Sequence, residues 1–225
     1  MLTRREIILA SAGMMGAPAG NTMADGLLAS LDLDRPGLEP VRRAVQAGDE
    51  AQARRALAAY FRSRKTPRWF VDPSSPPRDA SKADRETADL ALRHVFESVG
   101  IRHDFGENID WGHNPTAQPG SPDAPDHEWT WQLNRHEMWA ALARAYNATG
   151  DARYGRELAQ QILDWIRESP PPQGHALQSP YSRWRTIEAG IRMAGSWPEI
   201  YHRMLVHPDV FPDDVLLAMV ECMGK

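Results

Sequence analysis

The sequence predicts an all-α protein built from consecutive helical hairpins. Apolar residues recur at helical spacing through most of the chain, and no segment has the apolar–polar alternation of a strand. A glycine followed by aspartate also separates two such helical segments twice, at Gly48-Asp49 and at Gly150-Asp151. Glycine commonly ends a helix and aspartate commonly caps the next one, so each pair indicates a tight turn between antiparallel helices.

The best-defined hairpin lies between Asn134 and the three prolines at 170–172. Asn134 is followed three residues later by Glu137, a spacing that suggests a capping box at the start of the first helix. The apolar stripe of this helix is formed by Trp139, Leu142 and Tyr146. The second helix carries its own stripe, formed by Tyr154, Leu158, Ile162, Trp165 and Ile166. The prolines should end this second helix because proline cannot continue the hydrogen-bond ladder.

A third helix is predicted to begin near Ser182. Trp184, Ile187 and Ile191 form its apolar side. The adjoining side is charged, with Arg185, Glu188 and Arg192 at helical spacing.

The remaining segments are also predicted to be helical or irregular. They are a hairpin at 36–64 with Pro36 in its first turn, an irregular stretch at 65–80, a helix from a Ser81 cap to about Phe96, a loop at 100–126, a helix with a Ser196 cap and Pro198 in its first turn that runs to about Leu205, and a last helical pattern around Val215, Leu216 and Val220. We expect the long loop to be partly ordered and to line a cleft, because loops of this length in compact domains are often functional.

A set of short motifs follows in order between residues 111 and 192. They are Trp111-Gly112-His113-Asn114-Pro115, Glu128-Trp129, Leu133-Asn134-Arg135-His136-Glu137, Ala145-Tyr146, Thr149-Gly150-Asp151, Asp164-Trp165-Ile166, Trp184-Arg185 and Ile187-Glu188-Ala189-Gly190-Ile191-Arg192. Together they resemble the N-terminal domain of the heparinase II/III-type polysaccharide lyases, over roughly residues 60–205. The resemblance implies part of an incomplete (α/α) toroid, which in the family precedes a C-terminal antiparallel β-sandwich, with the sugar bound in the cleft between them.

The resemblance also implies a reaction and a partner. Such lyases cleave uronate-containing polysaccharides, heparin- or alginate-like, by β-elimination, in which donors neutralise the uronate carboxylate and a base removes the C5 proton. The family's catalytic residues lie mostly beyond the last segment present here, so no catalytic residue is assigned. We expect this chain to be a fragment that binds an anionic polysaccharide, needs no cofactor and is inactive alone.

Seven residues are candidates for contact with that polysaccharide. They are Asn134, Arg135, His136, Arg185, Arg192, Trp111 and His113. An amide, a guanidinium and an imidazole at 134–136 could bind a uronate or sulfate, and arginine can hold either anion bidentately. The alternatives stay open: Asn134 could be only a helix cap, Arg135 a solvated charge and His136 a structural side chain, while Arg185 and Arg192 could form ion pairs with Glu188.

The tryptophans divide into two groups by position. Trp139, Trp165, Trp184 and Trp197 fall at core positions of helices, whereas Trp111, Trp129 and Trp131 lie in or beside loops and are better candidates for stacking on a sugar. His113, His127 and His136 do not have metal-ligand spacing, so no metal site is predicted.

Charge and the N-terminus bear on location and partners. The net charge of −4 gives no reason to expect nucleic acid. Residues 1–24 resemble an export signal, with Arg4 and Arg5 before an apolar run at 7–19 that is too short to span a membrane. This predicts a periplasmic or secreted protein whose helical domain occupies residues 25–225, with twin-arginine and general export both open. The sequence indicates no oligomeric state, and the single cysteine, Cys222, excludes an internal disulfide.

Two other functions remain open at this point. A non-catalytic α-hairpin module could bind a glycan or a peptide through the same helices. A glycoside hydrolase could also be built on a fuller (α/α) toroid. Glu128, Glu137 and Glu188 can each be explained by caps, ion pairs or solvation, so no hydrolase pair is chosen among them.

Overall fold

The computed structural model describes residues 22–65, 80–122, 124, 126–172, 179 and 181–225, in two units at residues 1–31 and 32–225. In the first unit, helix α1 spans Thr22–Ser30. The remainder of the predicted export signal lies outside the described residues, as does most of the irregular stretch at 65–80. Within the described ranges, no helix combines the length and the apolar character needed to cross a membrane.

The second unit is predominantly helical. Its described elements are α2 (Glu39–Gln46), α3 (Glu50–Ser63), α4 (Lys82–Ala91), β1 (Val95–Ser98), β2 (Ile101–Asp104), a 3-10 turn (Pro115–Ala117), α5 (Glu128–Leu133), α6 (Glu137–Thr149), α7 (Ala152–Glu168), α8 (Thr186–Ala194), α9 (Ser196–Met204) and α10 (Asp213–Met223). The predicted all-α class is confirmed, with one small sheet added to it.

Both glycine–aspartate turns form as predicted. Gly48 and Gly150 adopt left-handed φ angles of 70° and 69°, a conformation that glycine tolerates without strain. Asp49 then accepts a hydrogen bond from the backbone N–H of Gln52 at 2.9 Å, and Asp151 accepts one from that of Arg153 at 3.0 Å. The hairpins α2–α3 and α6–α7 therefore begin and end where local sequence directs them.

Helix α6 lies at the centre of the second unit and contacts α4, α7 and α9, while α10 covers α7 and α3. The predicted interior residues of α6 and α7 are all buried, which confirms both stripes. Ser81 also caps α4 as predicted, in a reciprocal capping box with Asp84.

The prediction that the chain contains no strand is wrong. Helix α4 ends at Ala91 rather than near Phe96, and β1 pairs antiparallel with β2. The two residues of the connecting turn, Val99 and Gly100, have positive φ angles of 47° and 77°, which match the right-handed twist of a tight hairpin. A four-residue strand with a valine in the turn carries too little pattern to be recognised beside a helix.

Helix α8 does not bury the face that its apolar residues predict. The side chain of Ile187 is 57% exposed and that of Met193 38%, whereas Glu188 and Arg192 are buried. Two helix starts also differ in detail: α2 begins at Glu39 with Pro40, not Pro36, in its first turn, and Gly195 rather than Ser196 holds the N-cap position of α9. The Ser196 hydroxyl instead donates to the backbone oxygen of Arg135.

Candidate functional site

Arg135 lies between α5 and α6 and joins α5 to α8. Its guanidinium donates to the Glu128 carboxylate at 3.0 Å and to the Glu188 carboxylate at 3.2 Å. The Arg135 side chain is 20% exposed and Glu188 is almost fully buried. This geometry excludes the interpretation of Arg135 as an unpaired, fully solvated charge.

Arg185 approaches the same carboxylate from the start of α8. Its NH1 lies 3.4 Å from the second oxygen of Glu188, and its guanidinium carbon lies 3.7 Å from the centre of the Trp131 ring. Stacking on tryptophan holds a guanidinium in one orientation and strengthens its attachment. Because Glu128 and Glu188 balance Arg135 and Arg185, the four-residue cluster is close to neutral. Among the described residues, Arg135 Nε and Arg185 Nη1 still have no hydrogen-bond acceptor.

Asn134 is not an N-terminal cap, and the predicted capping box with Glu137 does not form. Asn134 instead follows the last residue of α5 and is buried. Its amide nitrogen donates to the backbone oxygens of Trp111 and Thr130, and its amide oxygen accepts from Trp165 Nε1 at 2.8 Å. The polar atoms of this side chain are all used within the chain, so it positions the surrounding segments.

His136 occupies the N-cap position of α6 with a positive φ of 62° and is fully buried. Its ring stacks on Trp139 at 3.7 Å and meets the edge of Trp165 at 4.8 Å. Trp197 Nε1 donates to His136 Nδ1, so the neutral ring carries its proton on Nε2. Burial, reinforced by the positive charge of Arg192, lowers the pKa of His136 well below its usual value. A neutral structural imidazole results.

Arg192 does not join the ion pairs of Arg185 and Glu188 through a hydrogen bond. Its NH1 donates to the backbone oxygens of Asn134 and Arg183, and its guanidinium lies over the rings of Trp165 and Trp184 at 4.9 and 5.4 Å. Burial lowers the pKa of Arg192 to about 10. Arg192 thus links α8 to the loop before α6 from the interior.

Trp111 and Trp129, two of the candidates for stacking on a sugar, offer no exposed ring face. Each is fully buried, and Trp129 Nε1 donates to the backbone oxygen of Ile101. His113 is half-buried and stacks on His103 at 3.9 Å, and burial together with His103 lowers the pKa of His113. At Gly112, between Trp111 and His113, the guanidinium of Arg183 lies 2.9 Å from where a Cβ would be, so a larger residue there would require the arginine side chain to move.

The structure connects all seven candidate residues in one contact network. Arg192 contacts the segment 134–136 through Asn134, Trp111 meets the edge of the His136 ring at 5.8 Å, and Arg185 shares Glu188 with Arg135. His113 is joined through its backbone oxygen, which accepts from the Thr130 hydroxyl. Asn134, His136, Arg192 and Trp111 are buried in this network, whereas Arg135 and Arg185 are partly exposed.

The sequence left an ion pair open for Glu128, which it forms with Arg135, and gave no role to Arg183. Arg183 donates to the backbone oxygen of Glu168 and the hydroxyl of Ser169, and it lies 3.9 Å from Asp110. Trp139, Trp165 and Trp197 are buried as predicted, whereas Trp184 is only half-buried. No group of three potential metal ligands occurs among the described residues.

Comparison with known proteins supplies the family. The family model described as Heparinase II/III N-terminus matches residues 27–224. A heparin-sulfate lyase of Bacteroides stercoris is 33% identical over 170 residues, covering 73% of this chain and 24% of that protein. A heparin-sulfate lyase of Pedobacter heparinus is 34% identical over 194 residues, covering 83% of this chain and 28% of that protein. This chain therefore spans about a quarter of the length of these two relatives.

Solved structures agree with the fold described above. The crystal structure of heparan sulfate lyase HepC from Pedobacter heparinus has a TM-score of 0.69 at 30% identity, over 88% of this chain and 30% of that one. A heparinase III structure gives a TM-score of 0.73 at 26% identity, over 93% of this chain and 32% of that one. The predicted helical toroid region is thereby confirmed, and the chain belongs to the heparinase II/III family through its N-terminal domain.

Proposed function

We propose that this chain is the helical substrate-binding part of a polysaccharide lyase that cleaves a heparin- or heparan-like chain by β-elimination. The match of residues 27–224 to the family's N-terminal domain supports this proposal most directly. The curated relatives, which this chain covers over 73% and 83% of its own length, are heparin-sulfate lyases. Alginate-like uronate polymers remain a second substrate class to be tested.

We assign the contact with the anionic chain to Arg135 and Arg185. Both side chains are between a fifth and a quarter exposed, and Glu188 holds both guanidiniums in place. Asn134, His136, Arg192 and Trp111 are buried, so we assign them to positioning these arginines from below rather than to direct contact. We retain His113 as a candidate for contact with the polysaccharide beside Arg135 and Arg185.

The chain alone should not carry out the reaction. β-Elimination needs a base near the C5 proton and a proton donor for the leaving oxygen. The buried His136 ring has its Nδ1 occupied by Trp197, and the carboxylates of Glu128 and Glu188 are paired with arginine. We therefore place the base and the acid outside this chain.

A domain exchange tests the proposal. This chain would replace the matching N-terminal region of the Pedobacter heparinus heparin-sulfate lyase, and release of unsaturated uronate from heparan sulfate and from alginate would be followed by ultraviolet absorbance. We expect turnover by the exchanged protein and none by the isolated chain. A soluble, folded exchange protein that binds heparan sulfate without turnover would instead favour the non-catalytic binding module, and saturated products would favour a hydrolase.

The predicted export is part of the same proposal. We infer that the protein acts in the periplasm or outside the cell, where polymers too large to enter the cytoplasm are degraded. Fractionation of the producing cell, with the intact mass of the protein, tests this inference. Recovery in the cytoplasm with residues 1–24 retained would contradict it.

A further inference from the structure

Tyr181 is the most exposed large aromatic side chain among the described residues. Its exposed fraction is 76%, while Trp131 and His127 beside it are only half-buried. Keeping an aromatic ring in water forgoes the free energy of burying it, roughly 2 kcal/mol for a ring of this size. A single exposed aromatic residue is common at protein surfaces, so its neighbours decide whether it forms part of a binding site.

Tyr181 is linked to the arginine pair through two other rings. The edge-to-face contact of Tyr181 with His127 has a centroid distance of 4.8 Å. His127 in turn lies nearly parallel to Trp131 at 5.7 Å, and Trp131 carries the Arg185 guanidinium at 3.7 Å. We call His127, Trp131 and Tyr181 the aromatic strip. At one end of the strip the Tyr181 ring is exposed, and at the other end Trp131 carries the Arg185 guanidinium.

The two ends of the strip differ in chemistry. The Trp131 face that carries Arg185 is not open to a sugar, whereas Tyr181 meets its neighbour at an angle of 89°, so it is not stacked on that ring. Arg183 and Arg185 flank Trp184 in the segment that follows Tyr181. Glu188 partly balances Arg185, and Asp110 lies 3.9 Å from Arg183. An apolar ring face followed along the strip by a guanidinium matches an acidic oligosaccharide, whose sugar rings have apolar faces and whose carboxylates or sulfates project from their edges.

We propose that the aromatic strip forms a subsite for a short acidic oligosaccharide, in which Tyr181 stacks on one pyranose ring and Arg185 binds the carboxylate or sulfate of a neighbouring sugar unit. This inference rests on the proposed function, since it assigns a subsite for the same polysaccharide. Trp131 is a positioning residue: its ring fixes the plane of the Arg185 guanidinium before the sugar arrives. Pre-organisation of this kind raises affinity because less side-chain freedom is lost on binding.

Affinity electrophoresis of the 225-residue chain through gels containing heparan sulfate tests the subsite, with dextran as the uncharged control polymer. We expect Tyr181→Ala to weaken binding by about three- to tenfold and Tyr181→Phe by less than about twofold, since the ring is kept. Arg185→Lys should also weaken binding, because lysine neither stacks as a plane nor binds an anion bidentately. Ile187→Ala is the matched control, since this exposed residue lies outside the strip.

The outcomes separate the subsite from the proposed function. Retardation of Tyr181→Ala equal to that of the Ile187→Ala control would overturn the subsite, as would a wild-type chain that no anionic polymer retards. In either case, turnover by the exchanged lyase would leave the proposed function standing. Loss of retardation in Tyr181→Ala together with an inactive exchange protein would support the subsite and overturn the lyase assignment. Circular dichroism of each variant establishes that the helical fold is intact.

Discussion

At the scale of single residues, Asn134 shows how one buried amide joins three segments of the chain. Its side chain contacts the backbone of Trp111 in the long loop, the backbone of Thr130 in α5, and the indole of Trp165 in α7. The backbone oxygen of Asn134 also accepts from Arg192. The position of the segment 134–136, and with it that of Arg135, therefore depends on one side chain that does not reach the surface.

Asn134→Ala is expected to lower the free energy of unfolding by about 2–4 kcal/mol, because it leaves the buried indole N–H of Trp165 and the Trp111 carbonyl without partners. Urea denaturation followed by circular dichroism measures this change. Asn147→Ala is the control, since the half-buried Asn147 makes only contacts of 3.3–3.4 Å to His207 and Arg203. Equal losses in the two variants would contradict the special role of Asn134.

At the scale of elements, the sequence correctly predicted the helices whose ends and buried faces are determined by neighbouring residues. The helices α6 and α7, their stripes and both glycine–aspartate turns depend on residues within a few positions of each other. Helix α8 could not be oriented in this way, because the partner that draws Glu188 inward is Arg135, 53 residues earlier in the chain. The same limit applies to the site: a loop position suggested an exposed Trp111, but its burial depends on α6.

The charged interior face of α8 leads to a prediction at this scale. Glu188→Ala leaves Arg135 and Arg185 next to each other without their shared carboxylate, so we expect a loss of about 3 kcal/mol in the free energy of unfolding. Ile187→Gln on the exposed face of the same helix should change it by less than about 0.5 kcal/mol. Chemical denaturation of both variants compares the two faces. A larger loss in free energy of unfolding for Ile187→Gln than for Glu188→Ala would indicate that the apolar face of α8 is the buried one.

His94, the residue before β1, connects the β-hairpin to Glu157 of α7. His94 Nδ1 lies 2.8 Å from the backbone oxygen of Gly106, and His94 Nε2 lies 2.8 Å from a carboxylate oxygen of Glu157. Both partners only accept, so both bonds form only when the ring carries two protons. The hydrogen bond to Glu157 is the main reason why the pKa of His94 is raised, with the charges of Glu157 and Asp164 adding to it.

Because the folded pKa of His94 lies above the unfolded value of about 6.5, its contribution to stability is complete below that pH and is lost as pH rises through the folded pKa. His94→Asn should remove about 1–2 kcal/mol at low pH and less at high pH, and asparagine tolerates the positive φ of 55° at this position. Denaturation of the wild-type protein and of His94→Asn, at pH values below and well above about 6.5, measures this difference in stability. A constant difference, or one that grows with pH, would exclude the protonated contact.

At the scale of the whole molecule, Arg62 joins the first hairpin of the second unit to its last helix. The guanidinium donates to the backbone oxygens of Leu205 and Phe211 at 2.6 and 2.8 Å and to the Asp213 carboxylate at 2.9–3.0 Å. These contacts span 143 to 151 positions of sequence. Helices α3 and α10, which also pack directly on each other, are thus attached through one half-buried charge.

This attachment predicts that α3 and α10 unfold as one unit. Arg62→Met should lower the free energy of unfolding by about 2–3 kcal/mol, because it leaves two carbonyls and a carboxylate without their donor. Hydrogen exchange should then rise in both helices together. Arg42→Met is the control, since its pair with the exposed Asp34 is a surface contact whose loss should change stability by less than about 1 kcal/mol. Faster exchange in α3 alone would show instead that α10 is held by its packing on α7, and that the two ends of the unit open independently.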